Sequence, residues 1–520
     1  MNYVAYIPLL AIALLAWVII RRLLFNPLLG IPGPWTARIF GFYEFYHNIW
    51  RDGEWCKTFP ELHKRYSSPV VRIGPNHVHI NNIEAYEHIF RLGTDFYKDE
   101  SFYTCADNHG SVFSLSDRDD HRERRKVLAP RFSKQAAELA APKIQARLQD
   151  LVQFMVKQSR KGEGCNITDL FRAVAINWVA DVFLGDCGDW VNYEARKLDM
   201  LEDIDGLSAL IPTLRFFPYL ATLNSLLPSS VVNYLTPSAV AGFKKICKDH
   251  TRPLLNTPTK EMARRTEASV AELLIFHRLE NTGKPPTLDY LAEEAFAFID
   301  AGVDTTGGTL VTALYHVLKS PEILRKLRKE LDEAMRRQAK STDIDPRKLG
   351  ELPYLNAIIK ESHRIWPAIP GPLPRVVPPA GINIGSYFIP GGTTVSATHH
   401  SLHYNETIFP EPHKFNPERW LKEEKSEGGR YLNPYSRGTR ACIGINLAQI
   451  QLRLTLTHLF GQYELELCDP VPSRHEWKDH FVAHPKEPIF VKFRERKGQV
   501  ESVVQSGDEE GRGCKTNFVM

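Results

Sequence analysis

Residues 433–449 read NPYSRGTRACIGINLAQ, and the setting of the cysteine in this run decides how the rest of the chain is understood. Gly438 and Gly444 bracket Cys442, and good helix formers follow from Ile445 onward. The spacing predicts a glycine-punctuated loop just ahead of a helix, where free backbone N–H groups favour a thiolate as they favour other anions. Arg440, two residues earlier, adds a fixed positive charge. A thiolate in such a cradle suits nucleophilic, redox or metal-ligating work. The other cysteines, Cys56, Cys105, Cys165, Cys187, Cys247, Cys468 and Cys514, have no such surroundings and read as ordinary buried thiols. They form no CxxC pair, which argues against a zinc ribbon or a secreted disulfide knot and for a reducing compartment.

Outward from this loop, the composition is that of a folded globular chain. It has 520 residues, 43% hydrophobic and 24% charged, with 32 Gly and 35 Pro, which excludes a collagen-like or wholly disordered protein. Lys and Arg number 65 against 61 Asp and Glu, a small excess spread along the chain, so nucleic acid is not an expected partner. Tyr3 to Ile20 (YVAYIPLLAIALLAWVII) is apolar and is followed by Arg21 and Arg22. At about 1.5 Å per residue it covers ~27 Å, the core thickness of an endoplasmic reticulum bilayer, and the charges behind it place the remaining chain in the cytosol. The sequence therefore predicts an uncleaved anchor over residues 1–22. A stiff hinge containing NPLLGIPGP follows over 23–34, then one large domain over 35–497 and a disordered tail over 498–520. Leu207 to Leu235 reads equally as a surface patch for the membrane or as ordinary core.

Val70 to Asn81 alternates about a Gly-Pro turn and predicts a hairpin. Gly381 to Ser396 reads as short strands, and helix periodicity runs with interruptions over 121–187 and 238–335. The body is expected to be mostly α with a small β region. His399, His400 and His403 lack the glutamate of a zinc-protease pattern and are read as structural. The sequons at Asn166 and Asn405 are read as silent.

The run Tyr435, Gly438, Arg440, Cys442, Gly444 resembles the heme-binding loop of cytochrome P450 monooxygenases, with Tyr435 where the family usually has Phe. Further motifs stand in family order. Glu361 and Arg364 look like the family's Glu-x-x-Arg pair, with Arg419 of Pro417-Glu418-Arg419-Trp420 as the implied third partner. Ala301-Gly302-Val303-Asp304-Thr305-Thr306 resembles the oxygen-activation segment of the long central helix. There Gly302 is expected to clear the heme face, and Asp304 and Thr305 to be the catalytic acid and alcohol that deliver protons.

The resemblance implies a cytochrome P450 fold with an N-terminal transmembrane helix and heme b as cofactor. Cys442 is then the axial thiolate and sole protein ligand of the metal. His121, Arg125, Arg375 and Arg440 are implied to meet the propionates, with Tyr435, Gly438 and Gly444 completing the cofactor site. Arg122, Arg124 and Lys126 are expected on the docking face for NADPH-cytochrome P450 reductase, because no flavin or nicotinamide module is visible in the chain. Phe102 to Phe113, parts of Leu207 to Leu235, Phe296, Phe298, Ala301, Ile369 to Leu373 and Phe481-Val482 are expected to line a pocket for a lipophilic small molecule, terpenoid or polyketide-like, because the hinge and cysteine loop are similar to those of microsomal fungal P450s of secondary metabolism. The implied reaction is hydroxylation or epoxidation with O2 at the endoplasmic reticulum membrane. An isomerase or dehydratase on the same fold, or a non-enzymatic heme-thiolate sensor, remains as the alternative.

Overall fold

A computed structural model describes residues 6–104, 108, 110–185, 193, 199–217, 238–256, 268–337, 345–421 and 427–496. The expected tail, Cys105, Cys187, Cys514 and the 218–235 part of the Leu-rich segment lie outside these. The helices needed below are α1 (Tyr6–Leu24), α2 (Arg118–Leu128), α3 (Ile167–Leu184), α4 (Asp199–Phe216), α5 (Leu288–Leu318), α6 (Pro353–Ile365) and α7 (Ile445–Gln462). Their starts are written in the sequence. Asp117 accepts from the Asp119 and Asp120 amides, Asn166 from Thr168 and Asp169, and Thr287 from Tyr290, which satisfies N–H groups that the first turn leaves free.

Every residue of α3 except Asp169 is buried, Arg172, Asn177 and Asp181 included, as in a helix enclosed on every side. It lies along the 31-residue α5, and two glycines set how closely. A Cβ at Gly302 would collide with the Val179 side chain, and one at Gly307 would come within 3.0 Å of Arg172 Cγ. Gly302 therefore admits α3 rather than clearing the heme face as expected. The main core surrounds this pair and includes Phe171, Trp178, Ile299, Val303, Leu310, Leu454 and Phe460.

Twelve strands among the described residues complete the fold: β1 (Val70–Gly74), β2 (His77–Ile80), β3 (Tyr97–Lys98), β4 (Cys165–Asn166), β5 (Arg375–Val376), β6 (Ile382–Ile384), β7 (Tyr387–Ile389), β8 (Thr394–Ser396), β9 (Tyr463–Leu467), β10 (Trp477–His480), β11 (Val482–Pro485) and β12 (Phe490–Glu495). The largest sheet has the order β1-β2-β8-β5-β3. The expected hairpin is β1–β2, antiparallel with Val70 opposite Ile80, and β8 adds in parallel with His79 opposite Ser396. The antiparallel β3–β5 pair sets Lys98 opposite Arg375. His399–His403 is a short helix, where the sequence made a helix doubtful. His403 Nε2 accepts the Asn433 amide at 3.2 Å, and no metal cluster occurs among the described residues.

The charged cluster implied for α6 is present and wholly enclosed. Arg364 donates to both carboxylate oxygens of Glu361 at 3.0 and 2.8 Å, and Arg419 and Trp420 donate to the same carboxylate at 3.1 and 2.8 Å. Glu361 and Arg364 expose none of their side chains.

The expected membrane span is not supported. α1 forms, with Leu10, Ile12, Leu14, Trp17 and Ile20 exposed, but among the described residues no helix is long and apolar enough to cross a membrane. Its last turn holds Arg21 and Arg22. Arg22 is tied to the body, donating to the Ile39 carbonyl and lying 5.3 Å over the Phe40 ring.

Burial holds His63, His363 and His399 at about 4, against roughly 6.5 in an unfolded chain. Below 6.5 the unfolded state therefore takes up protons that the native state refuses. The stability these groups contribute is complete above pH ~6.5 and is lost between there and about 4. The urea midpoint should stay level from pH 8 to 7 and fall steadily from pH 6.5 to 4.5. An unchanged midpoint at pH 5 would contradict this.

Candidate active site

The cysteine loop is built from the backbone outward. Gly438 has φ 70°, and a Cβ there would collide with the Phe90 carbonyl, so only glycine allows the turn. The Cys442 amide donates to the Tyr435 carbonyl at 2.9 Å, and the Ala441 amide to Gly438 at 3.1 Å. The extra hydroxyl of Tyr435 has the partners it requires: Gln449 donates to it at 2.9 Å, and His363 Nε2 lies 3.0 Å away. Among the described cysteines, Cys56, Cys165 and Cys247 are buried, Cys468 is half-buried and Cys442 alone is exposed. Desolvation by the surrounding loop raises the Cys442 thiol, opposed by the Gly444 N–H and the Arg125 charge. Gly444 closes the loop at the first turn of α7. A Cβ there would meet only the Cys442 sulfur, at 3.8 Å, so the chain's own packing does not demand glycine at this position.

Beside the loop lies a group of basic side chains. Arg440 donates to the carbonyls of Leu115, Ser116 and Asp117 at 2.6, 3.0 and 3.0 Å. Arg125 donates to Ala441 O at 2.7 Å, and Arg375 to the Tyr103 hydroxyl and Pro374 O at 2.8 and 2.9 Å. His121 is 3% exposed, and its Nδ1 has no partner. The structure adds Lys98, which the sequence did not single out. It donates to the Phe113 carbonyl and lies 4.0 Å over Tyr103 and 4.4 Å over Phe113.

The hydrogen bonds of these side chains go to neutral oxygens, and the charges oppose one another. Burial, then Arg440, Lys98, Arg125 and Arg375, push His121 down to about 3. Burial, then Arg375, lower Arg440 to about 10, and burial, then Arg375 and Arg440, hold Lys98 well below its ordinary value. Like charges gathered out of water need anions. A thiol-bearing loop flanked by such cations fits heme, whose two carboxylates would take up the opposing charge.

Facing the open side of α5, Ala301 is exposed and Thr305 half-buried, with the Thr305 hydroxyl donating to the Ala301 carbonyl at 2.8 Å. Asp304 turns the other way. It is buried, and Arg172 Nε donates to its Oδ1 at 2.5 Å. Arg172 also holds Asp205 of α4, with Nη1 3.2 Å from Oδ2. The sequence does not announce these partners, although Arg172 in the largely apolar run 167–184 is a signal, since a buried charge needs a partner.

Phe102, Phe113 and Phe481 form an aromatic wall, with ring centroids 6.0 and 5.7 Å from Phe481. Phe481 is set at the β10–β11 turn with φ 77°. Two expected pocket residues lie in the core instead. Phe296 packs on Phe243 at 4.9 Å, and Phe298 stacks on Phe132 at 5.3 Å. Arg124, expected on a docking face, instead pairs with the buried Glu294 and lies 4.3 Å over Tyr290. Arg122 and Lys126 are exposed.

The family model for cytochrome P450 matches residues 32–493. A cytochrome P450 monooxygenase of Aspergillus hancockii, hkm5, is 68% identical over 480 residues, which cover 92% of this chain and 93% of that protein. The cytochrome P450 monooxygenase phqM of Penicillium fellutanum is 31% identical, covering 90% of this chain and 87% of its own. The cytochrome P450 monooxygenase cloA of Claviceps purpurea is 33% identical, covering 89% and 90%. With a thiol loop, a charged cluster behind it and a cation group beside it matching over nearly the whole length, the chain belongs to the cytochrome P450 family.

Proposed function

We propose that this monooxygenase hydroxylates or epoxidises a lipophilic secondary metabolite, terpenoid or polyketide-like, with Cys442 as the iron ligand. The observation that carries this reading is the accessible Cys442 thiol beside Lys98 and Arg375, which are buried and hydrogen-bonded to neutral oxygens, with Arg125 and Arg440 half-buried next to them. When bound, heme supplies the reductive activation of O2 and the transfer of one oxygen atom to substrate.

The chain's own residues do the rest. The Gly444 N–H and Arg125 favour the thiolate of Cys442. Arg375, Arg440, Arg125, His121 and Lys98 hold the propionates, and a carboxylate beside His121 raises its basicity again. Thr305 presents its hydroxyl on the open face of α5, and Asp304 keeps a carboxylate one residue away for proton supply. Phe102, Phe113 and Phe481 give an apolar wall that selects by shape. NADPH-cytochrome P450 reductase supplies the electrons. The exposed apolar side of α1, continued by Trp35, Phe42 and Trp50, attaches the chain to the endoplasmic reticulum membrane. The acid and alcohol pair on α5 favours this reading over an isomerase or a sensor, neither of which has a use for it.

The reduced carbon monoxide complex of the full chain should show the red-shifted Soret band of a thiolate-ligated heme, and Cys442→Ala should abolish it. A band that survives in the variant sinks the assignment. Thr305→Ala should keep the band while product formed per NADPH falls about tenfold or more, the balance appearing as hydrogen peroxide. Full coupling in that variant would remove Thr305 from proton delivery. The substrate class is checked by mass spectrometry of terpenoids and polyketides incubated with enzyme and reductase, where the expected product gains one oxygen.

A further inference from the structure

Asp304 is flanked by side chains from α3 and β11. Arg172 occupies its Oδ1, while Oδ2 takes no hydrogen bond and stands 3.5 Å from Nε2 of His484 on β11, which is likewise without one. The other ring nitrogen, Nδ1, lies 3.6 Å from Oδ1 of Asp205. The Asp205 side chain is 49% exposed and that of Asp304 3%. One imidazole therefore stands between a carboxylate open to solvent and a buried one, with a nitrogen toward each. A cavity of about 10 Å³, the size of one water, adjoins Asp304 and is lined also by Arg172, Trp366 and His475. The Trp366 Nε1 and His475 Nε2 atoms have no partner.

We propose that His484 relays protons from solvent at Asp205 to the Asp304 carboxylate, as a positioning residue for the proton supply; this rests on the monooxygenase reading above. Arg172 touches the same two carboxylates, but a guanidinium keeps its protons and blocks that route. His484 can pass them. Neutral and protonated on Nε2, it accepts a proton at Nδ1 from the Asp205 carboxyl, which solvent replenishes. It then releases the Nε2 proton to Asp304 Oδ2, so one proton moves inward and the ring is left neutral with its proton on Nδ1; gain of a proton at Nε2 and loss of the one at Nδ1, both by exchange with solvent water, return the starting tautomer.

The charges facing the imidazole suit a transient carrier. Burial lowers its pKa, Asp304 raises it, Arg172 lowers it, Asp205 raises it and His480 lowers it. Asp169 on α3 and Asp300 on α5 belong to the same charged set, and Asp300 is lifted to about 7 by burial and by Asp304. The hairpin that carries His484 is fixed in place. Asp52 accepts from Lys478 at 2.5 Å and lies 2.6 Å from His480 Nε2. The Asp479 amide donates to Gly53 O at 3.0 Å, and a Cβ at Gly53 would stand 2.6 Å from that nitrogen.

The test uses the full heme-loaded chain with reductase, NADPH and O2 as the probe. O2 reduced by one NADPH and one proton leaves as hydrogen peroxide; reduced by two of each, it leaves as two waters. His484→Gln and Asp205→Asn should each raise the share of electrons recovered as hydrogen peroxide about threefold or more and enlarge the solvent deuterium effect on water formation. The double variant should be no worse than His484→Gln alone, as for two steps of one path. In ¹⁵N-histidine NMR, the His484 resonance, identified by its loss in His484→Gln, should titrate at lower pH in Asp205→Asn and in Asp304→Asn. If the red-shifted Soret band is missing from the unmodified chain, the monooxygenase reading fails. If the band is intact in every variant but the peroxide share is unchanged, or the two substitutions add, the relay is overturned. An imidazole titration indifferent to both carboxylates overturns it equally.

Discussion

The carboxylate of Glu361, shut away from water with Arg364, is the point from which the cysteine side of the molecule is laid out. Removing one partner of such a pair leaves an uncompensated buried charge, at a cost of roughly 3–5 kcal/mol. Here the pair also directs the chain. Arg364 uses its remaining donors on the carbonyls of His403, Pro412 and Lys414, which fixes three points of an otherwise irregular stretch. His403 then accepts the Asn433 amide, where the loop begins, and His363, between the two charged residues, meets the Tyr435 hydroxyl. One helix, α6, therefore reaches the loop directly through His363 and indirectly through Arg364 and His403.

How much of this was legible depended on whether a contact was local in sequence. The Tyr-Gly-Arg-Cys-Gly spacing could be read because a turn and a helix start are local events, and Glu361 with Arg364 because three residues on a helix bring side chains to one face. Lys98 could not be read as a site residue. Its place beside Arg375 comes from a two-residue strand pairing across more than 270 positions. Gly302 was misdirected because neighbouring helix positions differ by about 100° in facing, and the motif alone does not show which side of α5 the neighbouring helix occupies. Arg124 reads as a surface charge because nothing near it in sequence announces Glu294, and Phe296 and Phe298 read as pocket residues because an apolar residue reads alike in a pocket wall and in a core.

The same facing rule makes α5 a partition. Thr305 looks into the open side and Asp304 into the protein, so two adjacent residues serve regions that differ in solvent access. The hairpin β10–β11 reaches both regions: Phe481 at its turn closes the aromatic wall, and His484 three positions on stands against Asp304. The aromatic wall and the surroundings of Asp304 are therefore both shaped by a single short element, held by Asp52 and Gly53.

The cations gathered by Lys98, Arg125, Arg375 and Arg440 have a consequence for how the protein is made. Without anions they repel one another inside a partly dry site, an electrostatic cost that a dianionic cofactor would relieve in the placement proposed above. A ligand bound only by the native state stabilises it by mass action. On the placement of the propionates proposed above, cofactor uptake and folding are linked equilibria, and the folded fraction of the chain rises with the concentration of free cofactor.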